Sequence, residues 1–275
     1  MKITNLVNNT VRARGLLAEH GLSFLVEVGD ARVLFDTGQG KVLMHNMREL
    51  HVRPDTVERV VLSHGHDDHG GGLEAFLREA PHAKVCLHPS SLDRKFKRRV
   101  KGASQIGMPP TGERALRARG ERLVWTAGPT EIAPGVYVTG EIPRRTSFED
   151  TGGGFYLDEA CTKPDPLRDD QALYFESPKG LVLVLGCAHS GVVNTMDYVS
   201  QLTKRDTFHA VLGGMHLLRA SGERLEKTAE ALERRQPALI SPAHCTGSKA
   251  EAFLRHRFES QFVECVAGAV YSFDA

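Results

Sequence analysis

VVLSHGHDDHGGGLEAF, residues 60–76, decides how the rest of the chain is read. Val60, Val61 and Leu62 form an apolar, β-branched run of the kind that becomes a buried strand, while Leu73, Ala75, Phe76 and Leu77 read as the start of a helix. Between them stand four potential metal ligands, His64, His66, Asp68 and His69. In an extended segment His64 and His66 point the same way and two imidazoles reach one cation; the chain must then curl before Asp68 and His69 serve a second. Gly70, Gly71 and Gly72 permit that curl, by accepting positive φ and by removing side-chain bulk. A surface histidine cluster explains the stretch less well, because tag-like runs sit at termini rather than between a strand and a helix.

Bulk properties narrow the remaining classes. The 275 residues are 41% apolar and 25% charged, enough to bury a sizeable core, and nothing in the composition divides residues 1–275 into more than one domain. With 35 basic and 34 acidic side chains the net charge is +1, which argues against a nucleic-acid partner held by bulk charge. The opening MKITNLVNNTVRARG has no apolar core of a signal peptide, and no run approaches a membrane span; a cytoplasmic protein without a membrane partner is expected. Five scattered cysteines with no C-x-x-C pair argue against a disulfide framework. Composition says nothing of oligomeric state.

Outward from the histidine turn, residues 23–28 and 32–35 read as a hairpin ending in Asp36-Thr37-Gly38. Residues 41–50 read as a helix of about three turns, followed by a strand at 57–62, a helix at 73–80 and a strand at 83–88, in β-α-β order. RKFKRRVK, residues 94–101, places six basic residues among eight and reads either as a rim that attracts a phosphorylated substrate or as a solvated helix face. Residues 102–112 read as a loop. Strands at 123–125, 131–132 and 136–139 are expected to open a second sheet, and the polar stretch 141–170 to be a long active-site loop. Apolar runs at 172–175, 181–185, 210–212 and 238–240 continue that sheet, with helical patterns at 192–202 and 225–235.

One turn supplies too few ligands for a catalytic metal centre, and histidines placed just past buried strands are the natural complement. His189 follows the run 181–185, His216 follows 210–212 and His244 follows 238–240. Cys187 stands two residues before His189, where it is either a thiolate ligand or a small buried side chain. Asp169 and Asp170 are further carboxylates on the preceding loop.

The pattern H-x-H-x-D-H of His64, His66, Asp68 and His69 resembles the signature of the metallo-β-lactamase superfamily. LFDTG (residues 34–38), GCAHSGVVNT (186–195), GGMH (213–216) and PAHCTG (242–247) resemble the branch that includes the archaeal dihydropterin-ribofuranosylaminobenzene-phosphate synthases. That resemblance implies an α/β (α+β) fold, an αββα sandwich of two mixed sheets with helices on the outer faces. It implies two divalent ions, zinc with iron or manganese as alternatives, one held by His64, His66 and His189 and the other by Asp68, His69 and His244. His216 is then a substrate contact or proton donor, and Asp68 orients the nucleophile while ligating. Cys187 departs from the superfamily, many of whose hydrolases carry a bridging aspartate there. The expected activity is metal-dependent hydrolysis of an ester-type, phosphorylated or anionic small molecule by a metal-activated water. Two alternatives stand beside it: metal-dependent pterin-methyl transfer from a pterin diphosphate to an aryl phosphate, and a non-enzymatic metal-binding or sensor module. Substrate-binding residues carry no motif in 94–112 or 141–170.

Overall fold

A computed structural model describes residues 1–273. Its first sheet has seven strands in the order Val270–Ser272, Lys2–Val7, Ser23–Val28, Ala31–Phe35, Arg59–Val61, Lys84–Leu87 and Leu123–Trp125. Pairing is antiparallel up to Ala31–Phe35 and parallel beyond it. The second sheet has six: Leu239–Ala243, Phe208–Gly214 and Gly180–Leu185 are parallel, then Leu173–Ser177, Val136–Val138 and Thr130–Ala133 follow antiparallel.

Strand alternation builds the layers, since successive side chains leave a strand on opposite faces. Phe24, Val26, Val33, Phe35 and Val61 enter one core together with Val182, Val184, Ala210 and Leu212 from the other sheet. Their neighbours Leu25, Leu34 and Val60 point outward onto Met47, Leu73, Phe76 and Leu77 of the helices Leu43–Glu49 and Leu73–Glu79. Likewise Leu183, Leu185 and Val211 meet Val192, Met196, Leu225 and Leu254 of the helices Val192–Thr203, Gly222–Arg235 and Ser248–Arg257. The order is helix, sheet, sheet, helix, the expected αββα sandwich of mixed sheets. Burying both faces of each strand is what turned the sequence runs into near-continuous apolar stretches.

This architecture brings the ligand candidates together. His64 lies three residues past Arg59–Val61, Cys187 and His189 just past Gly180–Leu185, His216 just past Phe208–Gly214, and His244 directly after Leu239–Ala243. All four are carboxyl ends of parallel strands, where α/β folds place their sites.

Several expectations change. Leu123–Trp125 pairs in parallel with Lys84–Leu87 and closes the first sheet; the second begins at Thr130–Ala133. The expected three-turn helix is two turns long, Leu43–Glu49. The basic run is not a helix face: Phe96–Arg98 and Ala103–Gln105 make a hairpin that joins Phe155–Tyr156 in a small third sheet, and a helix, Pro110–Arg117, follows. Lys2–Val7, Ser248–Arg257 and Val270–Ser272 had no sequence assignment. All five cysteines are free, and among the described residues no helix is long and apolar enough to cross a membrane.

Candidate metal centre

The histidine turn is clamped from the strand beside it. Asp36 ends Ala31–Phe35 with φ 62°, a left-handed conformation that Asp tolerates better than most residues. It is fully buried: Oδ1 accepts from Ser63 N (2.7 Å), while Oδ2 accepts from Ser63 Oγ (2.7 Å) and His69 Nδ1 (2.7 Å). Thr37 donates from its N–H (2.7 Å) and its Oγ1 (2.9 Å) to the carbonyl of His69. Of the two roles expected of the glycines, one holds. Gly71 and Gly72 have φ −64° and −83°, ordinary helical values, so positive φ is not what selects them. A Cβ on Gly72 would sit 2.3 Å from the Thr37 carbonyl, so close backbone passage is the constraint.

Four of the histidines have their outer nitrogen fixed. His64 Nδ1 is 2.9 Å from Ser63 Oγ, His69 Nδ1 donates to Asp36, His189 Nδ1 donates to the Thr151 carbonyl (2.8 Å), and His244 Nδ1 donates to Asn9 Oδ1 (2.8 Å). Four Nε2 atoms are thereby aimed inward, the usual way outer partners orient ligating imidazoles. His66 is different: its Nδ1 lies 2.9 Å from His64 Nε2, and its Nε2 is buried without a hydrogen-bond partner. The donor atoms of His64, His66 and His189 lie within 4.8 Å of one another. Asp68 stands between the others, Oδ1 4.0 Å from His69 Nε2 and Oδ2 3.3 Å from His244 Nε2. Cys187 Sγ is 3.1 Å from His69 Nε2. All six predicted ligands therefore gather at one place.

The donor set suits a cation. Burial holds His64, His66 and His189 well below the usual imidazole range, leaving them neutral and able to ligate. Burial also acts to lower His69, but Asp36 and Asp68 outweigh it and lift it to about 9, a charge balance that a metal ion would replace. The buried Nε2 atoms of His189 and His244 have no hydrogen-bond partner, although the latter lies within ion-pairing distance of Asp68. An unsatisfied buried polar atom costs about 1–3 kcal/mol, which coordination would remove.

His216 lies against His189, ring centroids 4.3 Å apart, with a buried Nδ1 that has no partner. Residues 149–156 pack over both rings. A Cβ on Gly152, whose φ is 80°, would fall 1.7 Å from His216 Cδ2, and the Phe155 ring lies 5.1 Å from those of His66 and His189. The segment is anchored twice: Glu149 accepts from Val193 N and Asn194 N (both 2.9 Å) at a helix start, and Asp150 pairs with Arg224 at 2.6 Å. Lys97 Nζ stands 5.2 Å from the Phe155 centroid and pairs with no carboxylate among the described residues; burial pushes its ammonium down.

Sequence reasoning missed the outer partners. Asn9, Ser63 and the Thr151 carbonyl carry no motif, and Asp36 stood out only within LFDTG, with no sign that it would hold His69. His20, whose Nε2 lies 3.1 Å from Asp68 Oδ2, follows no strand and gave no signal. Asp169 and Asp170 do not reach the donors; they accept from Gly65 N and Ser190 N, both at 2.7 Å, and so hold the loops that carry them.

Comparison with known proteins agrees with the geometry. The profile described as the metallo-beta-lactamase superfamily matches residues 17–244. A 7,8-dihydropterin-6-methyl-4-(beta-D-ribofuranosyl)-aminobenzene-5'-phosphate synthase of Methanocaldococcus jannaschii is 31% identical over 266 residues, 93% of this chain and 90% of that protein. The crystal structure of Tm1679, a metal-dependent hydrolase of the beta-lactamase superfamily, superposes with a TM-score of 0.85 at 28% identity over the whole of both chains. The metallo-beta-lactamase fold protein YhfI from Bacillus subtilis shares the fold at 9% identity, with a TM-score of 0.60 over 98% of each chain.

Proposed function

We propose that this chain, which belongs to the metallo-β-lactamase superfamily of metal-dependent hydrolases, is a single catalytic domain that hydrolyses an ester-type bond in a phosphorylated or otherwise anionic small molecule. The observation that carries the reading is the set of four imidazoles, His64, His69, His189 and His244, each tied at Nδ1 by an outer partner so that Nε2 faces the cluster. His64, His66 and His189 would hold one divalent ion, and Asp68, His69 and His244 the other; zinc suits nitrogen and carboxylate donors of this kind. When bound, such ions supply Lewis acidity and bring the pKa of water to about 7.

The chain's own residues supply the rest. Asp68 faces both His69 and His244 and is positioned to orient the nucleophile. His216, half-buried against His189 with a buried, unpaired Nδ1, is the group to protonate the leaving oxygen. Phe155 and residues 150–152 exclude water above the histidines, and Lys97, behind Phe155, offers a positive charge to an anionic substrate.

Similarity over 93% of the chain to the M. jannaschii synthase supports a second reading, transfer of a pterin-methyl group from its diphosphate to an aryl phosphate. One experiment separates the two: metal analysis of untagged protein with a panel of phosphodiesters, lactones, thioesters and pterin diphosphates. Two ions per chain and turnover of phosphodiesters without a co-substrate are expected. Diphosphate release that requires an aryl phosphate acceptor would select the transferase, and a metal-loaded protein inert on the whole panel would reject both.

A further inference from the structure

Arg224 lies in the first turn of the helix Gly222–Arg235, yet its side chain is only 5% exposed. A buried charge is expected to be paired and hydrogen-bonded throughout. This one is not: Nη1 donates to Asp150 Oδ1 at 2.6 Å, while Nε and Nη2 are buried without a partner. Among the described residues Asp150 is its only ion pair, and that carboxylate is 75% exposed. The neighbouring acid, Glu149, is engaged elsewhere, by the N–H groups of Val193 and Asn194 and by the Thr146 hydroxyl. The Asp150 oxygen that meets Arg224 also accepts from Gly152 N at 2.7 Å. Gly152 in turn sits on His216, since a Cβ there would fall 1.7 Å from Cδ2 and 2.4 Å from Nε2. One oxygen is therefore held by a buried guanidinium and a backbone N–H at the rim of the histidine cluster, beside the proposed proton donor. We propose that Arg224 and the Gly152 N–H bind a phosphoryl group of the substrate, and that the Asp150 carboxylate, which occupies the same donors here, gives way to it.

A purely structural ion pair explains less. Glu149 already ties this segment down through three hydrogen bonds, so a second tie one residue later adds little. Nor does a tie account for a guanidinium left with two unsatisfied buried nitrogens, which is costly in a folded chain. Arginine holds phosphate through two parallel N–H bonds, and a phosphoryl group brings three oxygens where Asp150 brings two. It can take Nη1, a second guanidinium nitrogen and the Gly152 N–H together. The exchange is local. Asp150 is exposed, and rotation about its own side-chain bonds clears the donors while the Thr151 carbonyl stays on His189 Nδ1.

The inference rests on the anionic-substrate reading above, and its test keeps the two apart. Phenyl phosphate is titrated calorimetrically into zinc-loaded wild type, Asp150→Ala, Arg224→Gln and the double variant. Asp150→Ala should bind it about tenfold more tightly, because the competing oxygen is gone, and Arg224→Gln about tenfold more weakly. The double variant should bind no better than Arg224→Gln, because the gain needs the guanidinium. Binding in Asp150→Ala that equals or falls below wild type would reduce the pair to a structural tie. A gain that survives in the double variant would assign the anion to the metal ions alone, and either result overturns the inference. If Arg224→Gln melts more than a few degrees below wild type, Arg224→Lys takes its place; it keeps a buried cation without the planar fork, and wild-type affinity in it would count equally against the proposal. On the substrate panel, turnover of uncharged lactones or thioesters alone would sink the anionic-substrate reading and this inference with it. Turnover of phosphodiesters with a KM unmoved in Arg224→Gln would sink this inference only.

Discussion

Asp36 shows how much of a metal site can rest on a residue that touches no ion. Its carboxylate gathers Ser63 and His69 through three contacts of 2.7 Å, fixing the tautomer and the aim of His69. Asp36→Asn keeps the shape and the tolerated left-handed backbone but replaces one acceptor oxygen with a donor. Losing such an outer partner typically costs about 10–100-fold in metal affinity or activity. A loss of that size is expected at the ion proposed for Asp68, His69 and His244, with a smaller change at the one proposed for His64, His66 and His189. Chelator competition for each equivalent checks it, and unchanged affinity for both would reduce Asp36 to a turn residue.

At the level of elements, the small sheet of Phe96–Arg98, Ala103–Gln105 and Phe155–Tyr156 is bolted to the centre through buried charge. Lys95 Nζ lies 3.0 Å from both Asp165 and Asp169, all three nearly inaccessible, and Asp169 in turn accepts from Gly65 in the histidine turn. Asp67 N–H donates to the Ile106 carbonyl at 2.8 Å, a second tie between hairpin and turn. Lys95→Ala would strand two buried carboxylates, and breaking a buried pair in this way costs about 3–5 kcal/mol. Denaturant unfolding should register that loss; a change within experimental error would show that water or proton uptake replaces the lysine. The charges of the basic run are thus not equivalent. Arg98 donates to the Cys161 carbonyl and Arg99 to Ser104, whereas Lys97 is unclaimed beside Phe155. Lys97→Ala is expected to raise KM for an anionic substrate several-fold and flatten its salt dependence while leaving kcat nearly unchanged. An unaltered KM at low ionic strength would count against a substrate role for this lysine.

For the whole molecule, the two sheets share one core yet meet at a polar edge crowded with histidines, so the edge is where metal binding and stability couple. Anything that binds only the folded chain stabilises it by mass action, by about 2.7 kcal/mol at a hundredfold excess over Kd. For a chain of this size that corresponds to a rise in Tm on the order of 5–10 °C. Thermal unfolding of chelated protein against rising free zinc measures it. A Tm that does not move with zinc would mean the cluster is no binding site in the folded state.

By itself the amino-acid order determined everything that depends on spacing along the chain. The strand, four ligands and helix of residues 60–76 could be read because a strand–turn–helix unit is local, and its ligands lie within six residues. His189, His216 and His244 could be read because each follows a run buried on both faces, and such runs are apolar throughout. Leu123–Trp125 was assigned to the wrong sheet because an edge strand of three residues carries no mark of its partner; only its parallel pairing with Lys84–Leu87 decides. Tertiary structure alone decided which nitrogen His69, His189 and His244 turn inward, since the partners that fix them, Asp36, Thr151 and Asn9, are between 33 and 235 residues away. The same holds for Cys187. A cysteine two residues from a histidine is equally a core side chain or a ligand until strand order sets its sulfur beside His69, 118 residues distant, because hydrogen bonds and coordination depend on closeness in space and leave no periodic trace in sequence.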